Sequence, residues 1–148
     1  MEQHKIDIER LLEQGQQVQI HPQGYSMYPL FVPDRDEVIL EKADVSRLKR
    51  GDVVLYRRES GILVLHRIWK VRPDGFYMVG DNQSEVEGPL LRSQIKGILT
   101  GFIRKGKYCS VKNPVYRLAC GLWLFLRPAR PALSRMAAAI KRMLHRRR

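Results

Sequence analysis

The sequence predicts a mainly β domain of antiparallel strands, with a short helix before it and a helical segment after it. Three observations support this prediction. Between residues 17 and 111, short runs rich in β-branched and aromatic residues alternate with Gly, Pro, Asp and Ser. The intervals between the runs are too short for the crossover helices that parallel strands need. Apolar residues make up 44% of the 148 and charged residues 28%, which is typical of a folded protein.

The first predicted element is a short N-terminal helix. Apolar residues recur there at helical spacing and are followed by Gly15, a frequent helix terminator. They are Ile6, Ile8, Leu11 and Leu12. Five or six strands should follow, in the runs VQIHP, DEVILEKA, GDVVLYRR, GILVLHRIWKVR, GFYMVGD and IKGILTGFIRKGK.

The C-terminal segment is predicted to form two helices. Asn113-Pro114 ends the strand pattern, and VYRLACGLWLFL then indicates a short apolar helix. After the proline-rich RPARP, an amphipathic helix is predicted from one apolar face, made of Leu133, Met136, Ala137, Ile140 and Leu144. We therefore expect a β domain in residues 1–112, with its core in residues 17–111, and a helical tail in residues 113–148.

The charge distribution indicates a partner for the tail. Residues 88–148 contain 15 basic residues and no acidic one, whereas the whole chain has a net charge of +12. Such an asymmetry favours an anionic partner. The basic residues are interleaved with Leu, Ala and Met, which favours an anionic membrane over nucleic acid for residues 114–148. The competing interpretation is that Trp123 and Leu126 pack on the β domain and the arginines are solvated.

Neither a membrane-spanning segment nor a cofactor is expected. The longest apolar run, LACGLWLFL, has nine residues, against about 20 for a spanning helix. The N-terminal residues lack the apolar region of a secretory signal, so we expect a cytoplasmic protein at the membrane surface. The two cysteines, Cys109 and Cys120, do not have the spacing of a metal site or a disulfide framework.

Candidate chemistry begins at Ser26, in the run GYSMYPLF. A serine nucleophile needs a base within hydrogen-bond reach. His66 lies in the most apolar predicted strand, where an imidazole is costly unless it has a partner. Taken alone, His66 is better interpreted as a core histidine bound to a backbone carbonyl. Lys70 shares its strand face but lies about 13 Å further along; His4, His21 and His145 are expected to be solvated.

An acidic turn follows the next strand. Gly80-Asp81-Asn82 is by itself an ordinary turn with an Asx cap. Together with Ser26 and His66, however, Asp81 would complete the nucleophile, base and orienting acid of a catalytic triad. An unperturbed histidine base titrates near pH 6.5, so activity is expected to rise through roughly pH 6–7.

Four runs, over about residues 17–105, resemble successive motifs of the type I signal peptidase superfamily of serine peptidases. They are GYSMYPLF, RGDVVLY, LVLHRIWKV and GDNQ, in the family's order. The resemblance implies a β-rich peptidase fold in which Ser26 attacks a peptide carbonyl and His66 is the general base. Bacterial members have lysine where this chain has His66, so the chain is more similar to the endoplasmic-reticulum type with a Ser-His pair.

The chain departs from the family pattern in three places. Ser-His members have an aspartate shortly after the Gly-Asp-Asn motif, where this chain offers Glu85 and Glu87; Glu87 matches better by spacing. Gly24 stands where bacterial members often have an oxyanion-binding serine, which leaves that role to backbone N–H groups, including that of Ser26. The family's N-terminal membrane anchor is not recognisable, and the apolar, basic material is C-terminal.

These observations predict a serine endopeptidase that cleaves a precursor or leader peptide without a cofactor. The self-cleaving repressors of the same superfamily are a less suitable comparison. They need a DNA-reading domain, for which residues 1–16 are too short, and their base is lysine. The remaining alternative is a catalytically inactive peptidase-like module that binds membrane or nucleic acid through its basic tail.

Overall fold

The computed structural model describes residues 7–146 and confirms the mainly antiparallel β fold with flanking helices. His4 and Ile6 lie outside the described residues. The helices are α1 (Ile8–Glu13), α2 (Pro114–Phe125) and α3 (Arg130–Arg146). The strands are β1 (Val18–Ile20), β2 (Asp36–Lys42), β3 (Val53–Arg57), β4 (Leu63–Arg72), β5 (Gly75–Val79), β6 (Glu87–Leu90), β7 (Ile95–Arg104) and β8 (Lys107–Ser110).

The predicted N-terminal helix is present as α1. Asp7 caps it, because its carboxylate accepts the backbone N–H of Arg10 at 3.1 Å. Leu12 is buried on the inner side of the helix. The chain leaves the helix through Gly15, whose φ of +78° is strained for any residue with a Cβ.

All strand pairs in the sheet are antiparallel, in the order β1-β2-β7-β3-β4-β5-β6, with β8 also paired to β7. The six predicted strands match β1 to β5 and β7. Strand β6 was not predicted because it contains Gly88-Pro89, and proline cannot donate to a strand ladder. It lies at the edge of the sheet, where proline is tolerated.

The alternation of side chains along the strands produces two apolar clusters. In β3, for example, Val53 and Leu55 enter the first cluster and Val54 and Tyr56 enter the second. The first cluster also contains Leu12 from α1 and side chains of the loop between β1 and β2. Since strands β3 to β5 contribute to the second cluster, consecutive residues of β4 face different surroundings, which matters for His66 and Arg67.

Helix α2 packs on the β domain along one side. Asn113 caps it by accepting the N–H of Val115 at 2.9 Å. Cys120 and Leu124 are buried, and the Tyr116 ring packs against Phe102, 5.4 Å between ring centroids. The inner face of α2 is therefore continuous with the first cluster, although the sequence predicted a tail starting at residue 113.

Helix α3 lies outside these clusters. Every side chain from residue 131 to residue 145 is exposed. In the proline-rich run RPARP, residues 127–129 form a single 3₁₀ turn. Pro131 sits in the first turn of α3, where its missing N–H costs nothing. None of the helices among residues 7–146 has the length and apolar character needed to cross a bilayer.

Candidate active site

Ser26 lies in the loop between β1 and β2. Gly24 enters this loop with a φ of +72°, a conformation that favours glycine. The two neighbouring side chains that anchor the loop are Met27 and Phe31, both buried in the first cluster. Ser26 itself is half-buried. The bulky residues that follow Ser26 therefore fix the loop to the core, while the serine stays at its surface.

The end of the same loop is held by a buried carboxylate. Asp36 accepts the backbone N–H of Val32 at 2.9 Å and ion-pairs with both Arg35 and Arg104. Both arginines also donate to the carbonyl of Leu30. Burial acts to raise the pKa of Asp36, but these hydrogen bonds outweigh it and keep the pKa below its usual value. The loop is thus held in its middle by apolar packing and at its C-terminal end by this carboxylate.

The backbone of Ser26 contacts the Gly80-Asp81-Asn82 turn. The N–H of Asn82 donates to the carbonyl of Ser26 at 2.8 Å. At Gly80, a Cβ would lie 2.7 Å from that same carbonyl oxygen and 2.7 Å from Oε1 of Gln83. Only glycine permits this approach, so the residue type at position 80 determines how closely the serine loop and the turn can pack.

The register of β4 and β5 places His66 near this contact. Arg67 pairs with Val79, so one step further along the antiparallel ladder His66 comes opposite Gly80. The Ser26 carbonyl oxygen lies 2.7 Å from the position that a Cβ of Gly80 would take. The backbone of the serine loop therefore reaches the end of β5 that adjoins His66.

His66 belongs to a chain of hydrogen-bonded side chains that ends at Glu87. The hydroxyl of Tyr56 lies 3.1 Å from Nδ1 of His66 and donates to Oε2 of Glu87 at 2.6 Å. A tyrosine hydroxyl has one proton; with that proton donated to Glu87, its oxygen accepts one from the imidazole. Nδ1 therefore carries the ring proton, and Nε2 keeps a free lone pair with which it can act as a base.

Neighbouring charges and burial determine the protonation states of Glu87 and His66. Arg58 donates to both carboxylate oxygens of Glu87, with Nε and Nη2 each at 2.9 Å from one oxygen. Burial acts to raise the pKa of Glu87, but the hydrogen bonds from Arg58 and Tyr56 hold that pKa below its ordinary value. Burial, assisted by the charge of Arg58, lowers the pKa of His66 to about 4. At neutral pH the site holds a carboxylate and a neutral imidazole.

Asp81 has a different partner from the one that the sequence suggested. Its carboxylate accepts two hydrogen bonds of 2.8 Å from Nε and Nη2 of Arg67, and both side chains are almost completely buried. Arg67 also donates to the carbonyl of Gly51 at 2.8 Å. These contacts are those of a structural ion pair, and the acid that reaches His66 is Glu87, through Tyr56.

His66 opens onto a cleft of about 500 Å³. The cleft is lined by Arg58, His66, Gln83, Ser84, Glu85, Val86 and Glu87. Among the described residues, no hydrogen bond joins the Ser26 hydroxyl to His66, whose side-chain partner is Tyr56. The serine that lines the cleft together with the imidazole is Ser84, not Ser26, so experiments on the nucleophile must distinguish the two.

The C-terminal segment contacts the turn beside this cleft. The carbonyl of Asp81 accepts a hydrogen bond from Trp123 Nε1 at 2.8 Å and another from Arg130 Nη1 at 2.7 Å. Arg127 donates to the carbonyl of Ser84 and lies 5.0 Å from the centre of the Trp69 ring. Trp123 thus packs on the β domain, as the competing interpretation of the tail expected, and the α2–α3 junction supports the Asp81 turn.

The remaining predicted residues do not contact the imidazole. Lys70 places its ammonium group 4.2 Å from the centre of the Trp69 ring, and Glu85 is exposed at the edge of the cleft. His21 is exposed, 3.3 Å from the carbonyl of Pro33, and His145 is exposed on α3. Within residues 7–146 no cluster of three or more His, Cys, Asp or Glu side chains could hold a metal ion.

Sequence reasoning missed Tyr56, Arg58 and the ion-pair role of Arg67. A signal was present for each. An arginine inside the apolar run LVLHRIW needs a buried acid as partner. A β3–β4 hairpin pairs Val54 with His66, and Tyr56, two residues along, then shares the face of the imidazole.

Comparison of the chain with family models, curated proteins and solved structures gives no match. The resemblance to signal peptidases therefore depends on the four motifs.

Proposed function

We propose that the chain is a serine endopeptidase of the signal peptidase type. In this proposal Ser26 is the nucleophile and His66 is the general base. Glu87 orients the imidazole through Tyr56, and Asp81 supports the turn that contacts the serine loop. The substrate is a precursor or leader peptide, with small residues before the cleaved bond as the family resemblance implies.

The hydrogen-bonded chain from Glu87 through Tyr56 to His66 is the observation that carries the proposal. A core histidine needs only one partner, such as a backbone carbonyl. Here a tyrosine and an arginine-bound carboxylate fix one tautomer of the imidazole, and the histidine lines a cleft. A buried neutral imidazole with a free Nε2 beside a cleft is suited to removing a proton from a hydroxyl.

The reaction would proceed by acyl transfer. Nε2 of His66 takes the hydroxyl proton as Ser26 Oγ bonds to the peptide carbonyl carbon, and the imidazolium then protonates the leaving amine as the C–N bond breaks. Water, deprotonated by the same imidazole, hydrolyses the ester and restores the serine. Because Gly24 has no side chain, backbone N–H groups, including that of Ser26, would bind the oxyanion.

Labelling with a fluorophosphonate tests the nucleophile without knowledge of the substrate. The reagent phosphonylates an activated serine, and mass spectrometry of the digested protein locates the label. We expect the label on Ser26, and we expect Ser26→Ala and His66→Ala each to abolish it. Ser84→Ala is the matched control, since it removes the serine that lines the cleft with His66 and should leave labelling unchanged.

Cleavage assays complete the test. Incubation with a peptide library should give products with the wild-type protein and none with Ser26→Ala, and the double variant with His66→Ala should be no worse than either single one. Labelling that moves to Ser84 would assign the nucleophile there. A wild-type protein that is folded, unlabelled and inactive on every peptide would favour the inactive binding module, which the lack of a Ser26–His66 hydrogen bond also favours.

A further inference from the structure

Helix α3 presents an apolar face that nothing else in the described part of the chain covers. Five large apolar side chains on it are between 43% and 63% exposed: Leu133, Met136, Ile140, Met143 and Leu144. Their spacing of three and four residues places them on one side of the helix. The same spacing places Arg135, Arg142 and His145 on the other side, with Lys141 at its border.

Helix α2 has a similar face on the side that points away from the β domain. Val115, Leu118, Leu122 and Phe125 are between 55% and 76% exposed and recur at intervals of three and four residues. Buried residues such as Cys120 and Leu124 occupy the other side of the helix. The tail thus packs on the domain with one side of α2 and still leaves two apolar helix faces in contact with water.

Such faces are costly in water unless they have a partner. Most of the stability of a helix in a protein comes from packing of its apolar side, and the side chains of α3 from residue 131 to residue 145 are all exposed. Exposed apolar patches of this kind mark interaction sites. Something that covers both α2 and α3 would stabilise the C-terminal segment.

Charge decides which partner fits. Residues 88–148 contain 15 basic residues and no acidic one. A second copy of the chain would bring two sets of positive charges together, and nucleic acid would use the basic face while leaving the apolar one in water. A bilayer with anionic headgroups takes apolar side chains below the headgroups and neutralises the basic side chains at their level.

We propose that the outer face of α2 and the apolar face of α3, together called the tail surface, bind an anionic lipid bilayer. The helices lie in the plane of the interface, with Phe125 and Ile140 among the inserted side chains and Arg135 and Arg142 among the headgroups. This inference depends on helix faces and charge, not on the proposed peptidase activity. Its failure and the failure of the proposed function are therefore separate results.

Sedimentation with vesicles tests the proposal on the full chain. At low salt, the wild-type protein should sediment with vesicles of phosphatidylcholine containing a quarter of phosphatidylglycerol. Binding to vesicles of phosphatidylcholine alone should be at least about ten-fold weaker, and added salt should weaken binding to the anionic vesicles. Arg142→Gln should weaken binding to the anionic vesicles about five-fold, because it removes one basic residue near the membrane surface.

Two matched variants separate apolar insertion from general attraction. Ile140→Gln places an amide on the apolar face of α3, and Ala138→Gln places the same amide on its basic side, with no change of charge in either. Both positions are exposed, so the fold should be unchanged by circular dichroism. We expect Ile140→Gln to weaken vesicle binding by at least about ten-fold and Ala138→Gln to bind like the wild type. Leu118→Gln on α2 should also weaken binding.

Several results would overturn the proposal. Failure of the wild-type protein to sediment with anionic vesicles would do so, as would equal loss of binding in Ile140→Gln and Ala138→Gln. An unchanged affinity in Leu118→Gln would remove α2 from the tail surface. Dimerisation in size-exclusion chromatography that is lost in Ile140→Gln, without vesicle binding, would assign the face to a second copy. Tight binding to duplex DNA, without vesicle binding, would assign the basic side to nucleic acid.

Discussion

The hydroxyl of Tyr56 lies between His66 and Glu87, 3.1 Å from the imidazole Nδ1 and 2.6 Å from a carboxylate oxygen. In a Ser-His-Asp triad the acid contacts the imidazole directly. Here a neutral phenol separates them, so the tautomer is fixed by hydrogen bonding while the carboxylate charge is kept away from the ring. That arrangement allows burial to dominate the pKa of His66.

The first prediction concerns this phenol. Tyr56→Phe removes the acceptor of the Nδ1 proton while keeping the ring in the second apolar cluster. The imidazole is then free to adopt the other tautomer, with its proton on Nε2, and we expect kcat to fall by about 100-fold with little change in KM. Nitrogen NMR of the His66 ring should show the proton on Nδ1 in the wild type and a mixture in the variant.

Tyr77→Phe is the control, because the Tyr77 hydroxyl donates to the exposed Asp74 and does not contact the site. It should leave both the rate and the NMR signal unchanged. Full activity in Tyr56→Phe would show that Glu87 has no effect on the base through this route.

The second prediction is the pH dependence of activity. Burial lowers the pKa of His66 to about 4, and a general base is lost as the pH falls through its own pKa. We therefore expect kcat/KM to stay high down to roughly pH 5 and to fall near pH 4, below the pH 6–7 expected for an unperturbed histidine. Lys70→Met should give the same profile; a profile displaced by that variant would transfer the role to lysine.

The third prediction is the pH dependence of stability. Unfolding returns the imidazole to water, where its pKa is about 6.5. Between this value and the folded value of about 4, the unfolded state binds more protons, so the free energy of unfolding decreases as the pH falls. The His66 contribution to this loss is about 3 kcal/mol. Urea denaturation at several pH values should show a smaller decrease for His66→Gln than for the wild type.

The fourth prediction concerns the contact between Gly80 and Ser26. A Cβ at position 80 would lie 2.7 Å from the Ser26 carbonyl oxygen, so Gly80→Ala must displace the serine loop. We expect at least a ten-fold loss of activity and a destabilisation of about 1–3 kcal/mol. Gly121→Ala is the control, since nothing lies within 4 Å of its Cβ position and alanine favours the helix. Equal effects of the two substitutions would contradict the role of Gly80.

The fifth prediction separates the acids. Asp81→Asn leaves the buried Arg67 without a charged partner and should destabilise the fold by about 3 kcal/mol. Glu87 forms a partly exposed ion pair. We therefore expect Glu87→Gln to destabilise the fold less than Asp81→Asn does and to reduce activity more. Replacing both buried partners, as Arg67→Met with Asp81→Leu, should recover most of the stability in urea denaturation. A double variant as unstable as Asp81→Asn would show that the pair is not simply structural.

The fold could be predicted from the sequence because strand alternation and turn residues are local signals. Strand β6 could not be predicted, because Gly88-Pro89 breaks the local pattern. The segment is a strand only because it pairs with the neighbouring β5. The candidate site could be predicted from the sequence only in part. Ser26 and His66 stand in recognisable motifs, but the partner of Asp81 depends on which side of β4 each residue faces, and that follows from the register of three strands.

The hydrogen bonds from Trp123 and Arg130 to the Asp81 carbonyl also have a consequence for biosynthesis. Synthesis proceeds from the N-terminus, so in residues 1–148 the strands that bear His66 and Glu87 are made well before these two donors. The turn that contacts Ser26 receives its last partners only when the C-terminal segment has left the ribosome. A nascent chain in which Trp123 and Arg130 have not yet reached the β domain therefore has His66 and Glu87 without the two hydrogen bonds that hold the Asp81 turn.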